Sequence, residues 1–215
     1  MPRLAFVLLT MLCTALALAQ SDAYTSRAEA LRGLADPDAA QRARAVTWIA
    51  NHGAPDDGDI LRQRLTDESP FVRGFAEQGL WVLWARSGDA AIDRLMARGV
   101  EEMQASRYKA SIATFTEVIR RKPAFAEGWN RRATVLYLAG EYTRSIADCD
   151  EVMKRNPHHF GALAGYGQIY FQLGQFEKAI EYWRRALAAN PNMLGVEINI
   201  KETEALVAEK RRRAI

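Results

Sequence analysis

Apolar and small residues recur every 34 positions between Ile92 and Pro191, and prolines close three successive segments at Pro123, Pro157 and Pro191. Proline stops a helix because it has no N–H to donate in the helix interior. The repeated pattern therefore predicts three helical hairpins, each with its second helix ended by a proline.

Small residues mark the places where the two helices of each hairpin would approach each other. They are Gly99, Ala133 and Gly167 on the first helices and Ser111, Ser145 and Ala179 on the second helices. Gly140 and Gly174 end two of the first helices, since glycine accepts the left-handed conformation that a helix terminus often needs. A single hairpin cannot bury its apolar face alone, so the hairpins are expected to stack into a solenoid.

The residue types at these offsets resemble those of a tetratricopeptide repeat, whose period is also 34 residues. The second unit matches through Trp129, Leu136, Gly140, Tyr142, Ser145 and Pro157, and the third through Leu163, Gly167, Tyr170, Gly174, Phe176, Ala179 and Pro191. The first unit matches less well, through Leu95, Gly99, Tyr108, Phe115 and Pro123. The resemblance covers residues 89–191. It implies an all-α fold, a right-handed α-solenoid of helical hairpins whose concave surface binds another protein.

The resemblance also implies which residues line the concave groove, because the inner helix of each repeat exposes fixed offsets. Carried over by position, these are Asp93, Met96, Val100 and Met103 in the first unit, Glu127, Asn130, Thr134 and Tyr137 in the second, and Gly161, Ala164, Gln168 and Phe171 in the third. One rim is then aromatic and apolar, and the other is mildly acidic. We expect a partner segment with a hydrophobic anchor and an adjacent basic residue to bind there. The alternative is that this stripe packs against the last helix.

One pattern of the family is absent. Arrays that bind chaperone C-termini hold the terminal carboxylate with Lys and Asn side chains on the inner helices. Here those positions carry Met96, Val100, Gly161 and Ala164, and Arg131 is the one basic contact left in the groove. Acidic C-termini are therefore not expected as ligands.

A different period, of 31 residues, runs through residues 20–88, where Asp36 aligns with Asp67 and Arg42 with Arg73. This resembles HEAT-like repeats, in which an Asp at a turn and an Arg six residues later form ladders between neighbours. The residues support such a ladder, because Asp caps a helix start and Arg can reach the next repeat's carboxylate. A plain pair of helical hairpins is the alternative. Helices are predicted over residues 22–35, 39–52, 59–65 and 70–86.

Both ends of the chain carry their own signals. Residues 1–19 have the pattern of a secretory signal peptide, with Arg3 before an uncharged apolar run and Ala17-Leu18-Ala19 before Gln20. An uncleaved anchor is the alternative, although the apolar run is shorter than the roughly 20 residues that a spanning helix needs. Residues 192–215 are predicted as a helix that caps the solenoid, with a basic tail.

Charge and candidate chemistry narrow the function. The chain has 29 basic and 26 acidic residues, a balance that argues against nucleic-acid binding. Without residues 1–19 the only cysteine is Cys149, so no internal disulfide is expected. Cys149 stands at the offset of Phe115 and Trp183, which predicts a small buried residue. His158 and His159 lack a third ligand nearby, and the sequence motifs of phosphate-binding loops, serine hydrolases and zinc proteases do not occur.

Together these features predict a non-enzymatic scaffold or adaptor that binds a segment of another protein during envelope assembly or trafficking. The leader pattern predicts export across the inner membrane into the periplasm. No cofactor, metal, nucleic acid, small-molecule substrate or stable membrane insertion is expected. A periplasmic chaperone of loose client specificity is one alternative. An enzyme similar to the HEAT-repeat bilin lyases is another alternative, against which the lack of a candidate nucleophile argues.

Overall fold

The computed structural model of the protein describes residues 24–213, in which all regular structure is helical. The predicted signal peptide, residues 1–19, lies outside the described residues. None of the helices between residues 24 and 213 has both the length and the apolar character needed to cross a membrane. The chain divides into two compact units after Leu83, close to the predicted boundary at residue 88. The predicted all-α fold is confirmed.

The first unit contains three α-helices and most of a fourth, whose last two residues, Trp84 and Ala85, belong to the second unit. These helices are α1 (Arg27–Gly33), α2 (Ala39–His52), α3 (Gly58–Gln63) and α4 (Pro70–Ala85), with short 3-10 turns at Pro55–Asp57 and Arg64–Thr66. Helix α1 begins later than the sequence predicted because the Ser26 side chain accepts a hydrogen bond from the backbone N–H of Glu29 and so caps the helix there. Buried aliphatic residues of α2, α3 and α4, such as Val46, Leu61 and Leu80, form the core.

The 31-residue period of the first unit has a structural basis in two arginines. Arg42 donates to the backbone carbonyl of Asp36 (2.9 Å), and Arg73 donates in the same way to the carbonyl of Asp67 (2.9 Å). Arg42 also forks onto the Asp67 carboxylate, with Nη2 at 2.8 Å from Oδ1 and Nε at 3.0 Å from Oδ2. Burial opposes the ionisation of Asp67, but these hydrogen bonds hold its pKa below the ordinary value. The predicted contact from Arg to the next repeat's carboxylate is present.

The second unit starts at Trp84 and contains three helical hairpins followed by a single helix. Hairpin 1 is α5 (Ala90–Gln104) and α6 (Tyr108–Arg121), hairpin 2 is α7 (Ala126–Leu138) and α8 (Tyr142–Arg155), and hairpin 3 is α9 (Phe160–Gln172) and α10 (Phe176–Ala189). The last helix is α11 (Leu194–Arg213). Consecutive helices pack together from α5 to α11, and the first helices of neighbouring hairpins also touch, α5 with α7 and α7 with α9. These contacts make a solenoid of hairpins, as predicted.

The small residues at the helix crossings have the predicted role. An added Cβ at Gly99 would lie 2.6 Å from the ring of Phe115, and one at Gly167 would lie 2.3 Å from the ring of Trp183. In hairpins 1 and 2 a serine of the second helix also donates to a carbonyl of the first, from Ser111 to Gly99 and from Ser145 to Ala133, at 2.7 Å in both cases. The hydroxyl therefore fixes the register of the two helices while the small residues set their separation.

The turns inside the hairpins use the left-handed backbone conformation. Gly140 and Gly174 have φ of 77° and 70° at the ends of α7 and α9. Hairpin 1 has Ser106 at this place, with φ of 57°. A residue with a Cβ is less favourable in this region than glycine, which is consistent with the weaker match of the first unit to the repeat pattern.

Helix α11 takes the place of the first helix of a further hairpin. Val196, Ile200 and Thr203 are buried on this helix, which packs against α10. The offsets that carry Leu163, Gly167 and Tyr170 in hairpin 3 are occupied in α11 by Glu197, Lys201 and Glu204, all of which are exposed. The face that would otherwise meet a second helix is thus polar, and α11 caps the array as predicted.

The contact between Gly167 and Trp183 gives a stability prediction. Replacing Gly167 by Ala should lower the free energy of unfolding by about 1–3 kcal/mol, because Trp183 is buried and cannot move away from the new methyl group. The measurement is urea unfolding followed by circular dichroism. Gly165→Ala is the matched control on the same helix, since its Cβ would meet only Cys149 Sγ at 4.0 Å. Equal stabilities of the two variants would contradict the packing argument, because helix propensity alone favours both.

Candidate peptide-binding groove

The candidate site lies between the first helices of hairpins 2 and 3, α7 and α9. A cavity of about 260 Å³ is present there. Six of the positions that the sequence predicted for the groove line it, namely Asn130, Thr134, Tyr137, Gly161, Ala164 and Gln168. The offsets predicted separately in two neighbouring hairpins therefore converge on one site.

The rest of the cavity wall was not predicted from the sequence. It is formed by Ala133, Ser145, Cys149, Ala162, Gly165 and Ile169, which are small residues except for Ile169. None of the lining residues, all of which belong to the described part of the chain, is charged. Cys149 stands at the offset where the flanking hairpins have Phe115 and Trp183. That substitution is the sequence signal from which a void beneath the groove could have been predicted.

The polar groups of the cavity wall are partly uncommitted. The Gln168 side chain has no hydrogen-bond partner within residues 24–213, and Asn130 uses only its Nδ2, which donates to Glu127 Oε2 at 2.9 Å. Thr134 donates to the backbone carbonyl of Asn130 (3.0 Å), and the Tyr137 hydroxyl accepts a long hydrogen bond from Gln172 (3.4 Å). Two side-chain amides therefore remain able to pair with a ligand.

Glu127 does not form the acidic rim that the sequence predicted. Its side chain is 1% exposed, pairs with Arg131 Nε at 2.6 Å and accepts from His159 Nε2 at 3.1 Å. Burial opposes its ionisation, but the hydrogen bond from His159, the Arg131 guanidinium and the hydrogen bond from Asn130 together hold the pKa of Glu127 below its ordinary value. The prediction of an exposed acidic side chain here is corrected, and Arg131 is engaged in the same cluster.

His159 organises this buried cluster. Its Nδ1 accepts from the backbone N–H of Ala162 at 3.1 Å and so caps α9, which leaves Nε2 to donate to Glu127. The ring is fully buried and stacks on Trp84 with centroids 4.5 Å apart. The sequence analysis did not predict the contact of His159 with Glu127, because Glu127 lies 32 residues earlier in the chain.

The predicted positions of hairpin 1 are less available than those of hairpins 2 and 3. Met96 is 8% exposed and belongs to the core cluster around Phe115, against which Val100 and Met103 also pack. Asp93 is exposed, but its carboxylate accepts from the backbone N–H of Ser87 at 3.1 Å. Met96 is thus a core residue, because in hairpin 1 the side chain at this groove offset packs against α6.

Phe171 is only partly exposed. Its ring lies 5.4 Å from that of Phe176 and 5.9 Å from that of Trp183, and it packs against the core cluster that includes Val196 and Ile200 of α11. Phe171 therefore follows the alternative given by the sequence, in which the apolar stripe packs towards the last helix. Phe171 therefore supports the end of the array and is not among the residues that line the cavity.

Comparison with known proteins identifies the repeats of the second unit. Two family models, both described as tetratricopeptide repeat, match residues 96–155 and 160–193. The chain contains tetratricopeptide repeats. A relative from Rhizobium etli, named a TPR repeat-containing protein, is 39% identical over 57 residues, which cover 26% of this chain. The chain spans 28% of that relative's length.

Solved structures with the same repeats share the fold. The TPR domain of Sgt2 from Aspergillus fumigatus has a TM-score of 0.56 at 19% identity, covering 59% of this chain and 85% of that domain. The first TPR domain of Spaghetti (RPAP3), bound to an HSP90 peptide, has a TM-score of 0.52 at 19% identity, covering 54% and 93%. The TPR2B domain of yeast Sti1 in complex with pHsp70 has a TM-score of 0.51 at 18% identity, covering 55% and 99%. The matching family models leave residues 20–88 uncovered, so their resemblance to HEAT repeats stays a prediction.

The burial of Cys149 gives a prediction about its reactivity. Burial raises the pKa of the thiol to about 12, and the thiolate is the reactive form. At pH 8 a thiol reagent should therefore label the folded protein at least about 100-fold more slowly than the urea-unfolded protein, in which the pKa returns to about 8.5. The measurement uses the Cys13→Ser variant, so that only Cys149 reports. Rapid labelling of the folded protein would contradict the buried placement of Cys149.

Proposed function

We propose that this protein is a non-enzymatic scaffold or adaptor that binds a segment of another protein in the groove between α7 and α9. The observation that carries the proposal is the uncharged cavity shared by these two helices, with the amides of Asn130 and Gln168 in its wall. A peptide supplies both kinds of complementary group, because each residue has a backbone donor and acceptor as well as a side chain.

The structural neighbours support a peptide ligand but not the same peptide. The RPAP3 domain is bound to an HSP90 peptide and the Sti1 domain is in complex with pHsp70. In this chain Arg131 is already paired with Glu127 at 2.6 Å, so it is not free to bind an acidic terminus. The uncharged residues Met96, Val100 and Ala164 cannot replace it. We therefore propose an internal, largely uncharged segment as the ligand.

The environment of the two most reactive side chains near the groove supports a non-enzymatic role. Cys149 is 2% exposed, and its raised pKa keeps it protonated at neutral pH. Both ring nitrogens of His159 are engaged, one by Ala162 and one by Glu127. A nucleophile must be deprotonated and reach its substrate, and neither side chain meets both requirements.

We further propose that the protein acts in a cell envelope after export. This part of the proposal rests on residues 1–19, whose sequence has the charge, apolar run and small residues of a cleaved leader. The core of the second unit is built from aliphatic and aromatic packing and requires no disulfide, since Cys149 is a free thiol.

In-cell photo-cross-linking tests the groove as the binding surface. A benzophenone amino acid at Tyr137, which lines the cavity, should give one dominant cross-linked product in cells that produce the protein natively. The same amino acid at Ala147, an exposed residue of α8, is the matched control and should not give that product. The readout is gel electrophoresis followed by mass spectrometry of the product.

Other outcomes of this experiment separate the alternatives. A ladder of many unrelated products from position 137 would favour a chaperone of loose specificity. The same product from positions 137 and 147 would place the contact outside the groove. The absence of any product from position 137 would contradict a partner in the groove.

The proposed export gives a second prediction. Protein purified from the envelope fraction of its own cells should begin at Gln20, because the Ala17-Leu18-Ala19 sequence precedes that residue. Mass spectrometry of the intact protein checks this. A chain that retains residues 1–19 and stays with the membranes would favour the uncleaved anchor.

A further inference from the structure

We propose that the cavity between α7 and α9 is a specificity pocket for one uncharged, apolar side chain of a partner peptide, whose backbone pairs with Asn130 and Gln168. This inference rests on the function proposed above and specifies its ligand. The occupant is an extended peptide.

The pocket exists because hairpin 2 lacks an aromatic ring that its neighbours have. Phe115 packs under Gly99 in hairpin 1, and Trp183 packs under Gly167 in hairpin 3, each filling the space between its two helices. Hairpin 2 has the pair Ala133 and Cys149 at these offsets. The methyl group and the thiol occupy much less volume than a ring, and both line the cavity.

The opposite wall enlarges the same space. Gly161 and Gly165 of α9 line the cavity at offsets that carry Glu127 and Arg131 in hairpin 2. A Cβ added at Gly165 would meet only Cys149 Sγ, at 4.0 Å. The small residues of both walls therefore line one continuous cavity.

Size and charge select the kind of side chain that fits. The volume of about 260 Å³ exceeds the roughly 150 Å³ of an apolar cavity that holds a benzene ring, so an aliphatic or aromatic side chain can enter. No lining residue within the described chain is charged, and an ionised side chain would lose its hydration without gaining a partner. The pocket thus accepts the kind of ring that Phe115 and Trp183 supply in the flanking hairpins.

The amides in the wall favour a peptide over a free apolar molecule. Asn130 is held by Glu127, which is itself fixed by Arg131 and His159, so its amide is oriented before any ligand binds. Gln168 has no partner within residues 24–213. An amide side chain can both donate and accept, which matches a peptide backbone. None of the described residues of α11 lines the cavity, so the occupant does not come from that helix.

Two variants fill the pocket from opposite walls. Ala133→Gly combined with Cys149→Phe copies the Gly99 and Phe115 pair of hairpin 1 into hairpin 2. Gly165→Leu fills the space from α9 and leaves the residues Ala133 and Cys149 themselves unchanged. Because the two changes are independent, a folding defect in one leaves the other as the test, and thermal unfolding followed by circular dichroism identifies such a defect. Gln168→Ala is a third variant, which removes an amide but leaves the cavity open.

The probe is a library of random 12-residue peptides displayed on phage and selected on the full chain. We expect the selected peptides to share one uncharged aliphatic or aromatic position. Synthetic peptides with this consensus, measured by fluorescence anisotropy, should bind at least about tenfold more weakly to each folded pocket-filled variant than to the wild type. Replacing the shared residue in the peptide by Lys should cause a loss of similar size, and the Gln168→Ala variant should bind with a smaller loss.

The remaining outcomes overturn the inference. In one such outcome the peptides bind the filled variants with affinities within about twofold of the wild type and yet lose affinity for Gln168→Ala. This result would support binding in the groove but contradict a specificity pocket. A consensus defined by charge, or no consensus at all, would also contradict the specificity pocket. The proposed function is tested separately, by the cross-link from position 137. If the wild-type protein self-associates and the filled variants do not, the occupant of the pocket is a second copy of the chain instead.

Discussion

The structure of the repeat unit depends on one steric constraint, the pair of residues that face each other where the two helices of a hairpin cross. In hairpins 1 and 3 a glycine faces a large ring, and the ring determines how the helices are separated. Close packing of this kind leaves no tolerance for an extra methyl group. The serine hydroxyls of hairpins 1 and 2 add a directional bond to the carbonyl of the same crossing residue. Register and spacing are thus fixed at the same point.

Hairpin 2 keeps the same helix crossing with a different pair, Ala133 and Cys149. The hydroxyl of Ser145 still bonds the carbonyl of Ala133, so the register is retained while the ring is lost. The unfilled volume then opens towards α9, whose glycines do not close it. In this way a change in the interior of one repeat becomes a feature of the proposed binding surface.

The sequence predicted the features that depend on local pattern. The helix boundaries of α2 and α4 and the hairpin turns at Gly140 and Gly174 follow from nearby residues, and the burial of Cys149 follows from the offset that it shares with Phe115 and Trp183. Glu127 was wrongly predicted to be exposed, because its position depends on His159, which belongs to the next repeat. The offset alone contains no information about that partner. The cavity was also missed, since it needs the combined effect of Cys149 and two glycines on another helix.

A void formed by residues of three separate helices lowers the stability of the protein. The size of this loss helps to distinguish a binding site from a packing defect. Removing buried volume from a closed core destabilises a protein by about 24 cal/mol for each Å³ of residual cavity, so a cavity of this size enclosed in the interior would cost several kcal/mol. Here the wall includes polar groups such as Asn130 and Gln168, which water can hydrate, so the cost is smaller than in an apolar interior. An apolar side chain that enters from a partner would replace that water and recover the packing that Phe115 and Trp183 give to their own hairpins. In the proposed complex the same missing ring would therefore weaken the repeat in isolation and strengthen binding, a combination that favours a binding role for the site over a packing defect.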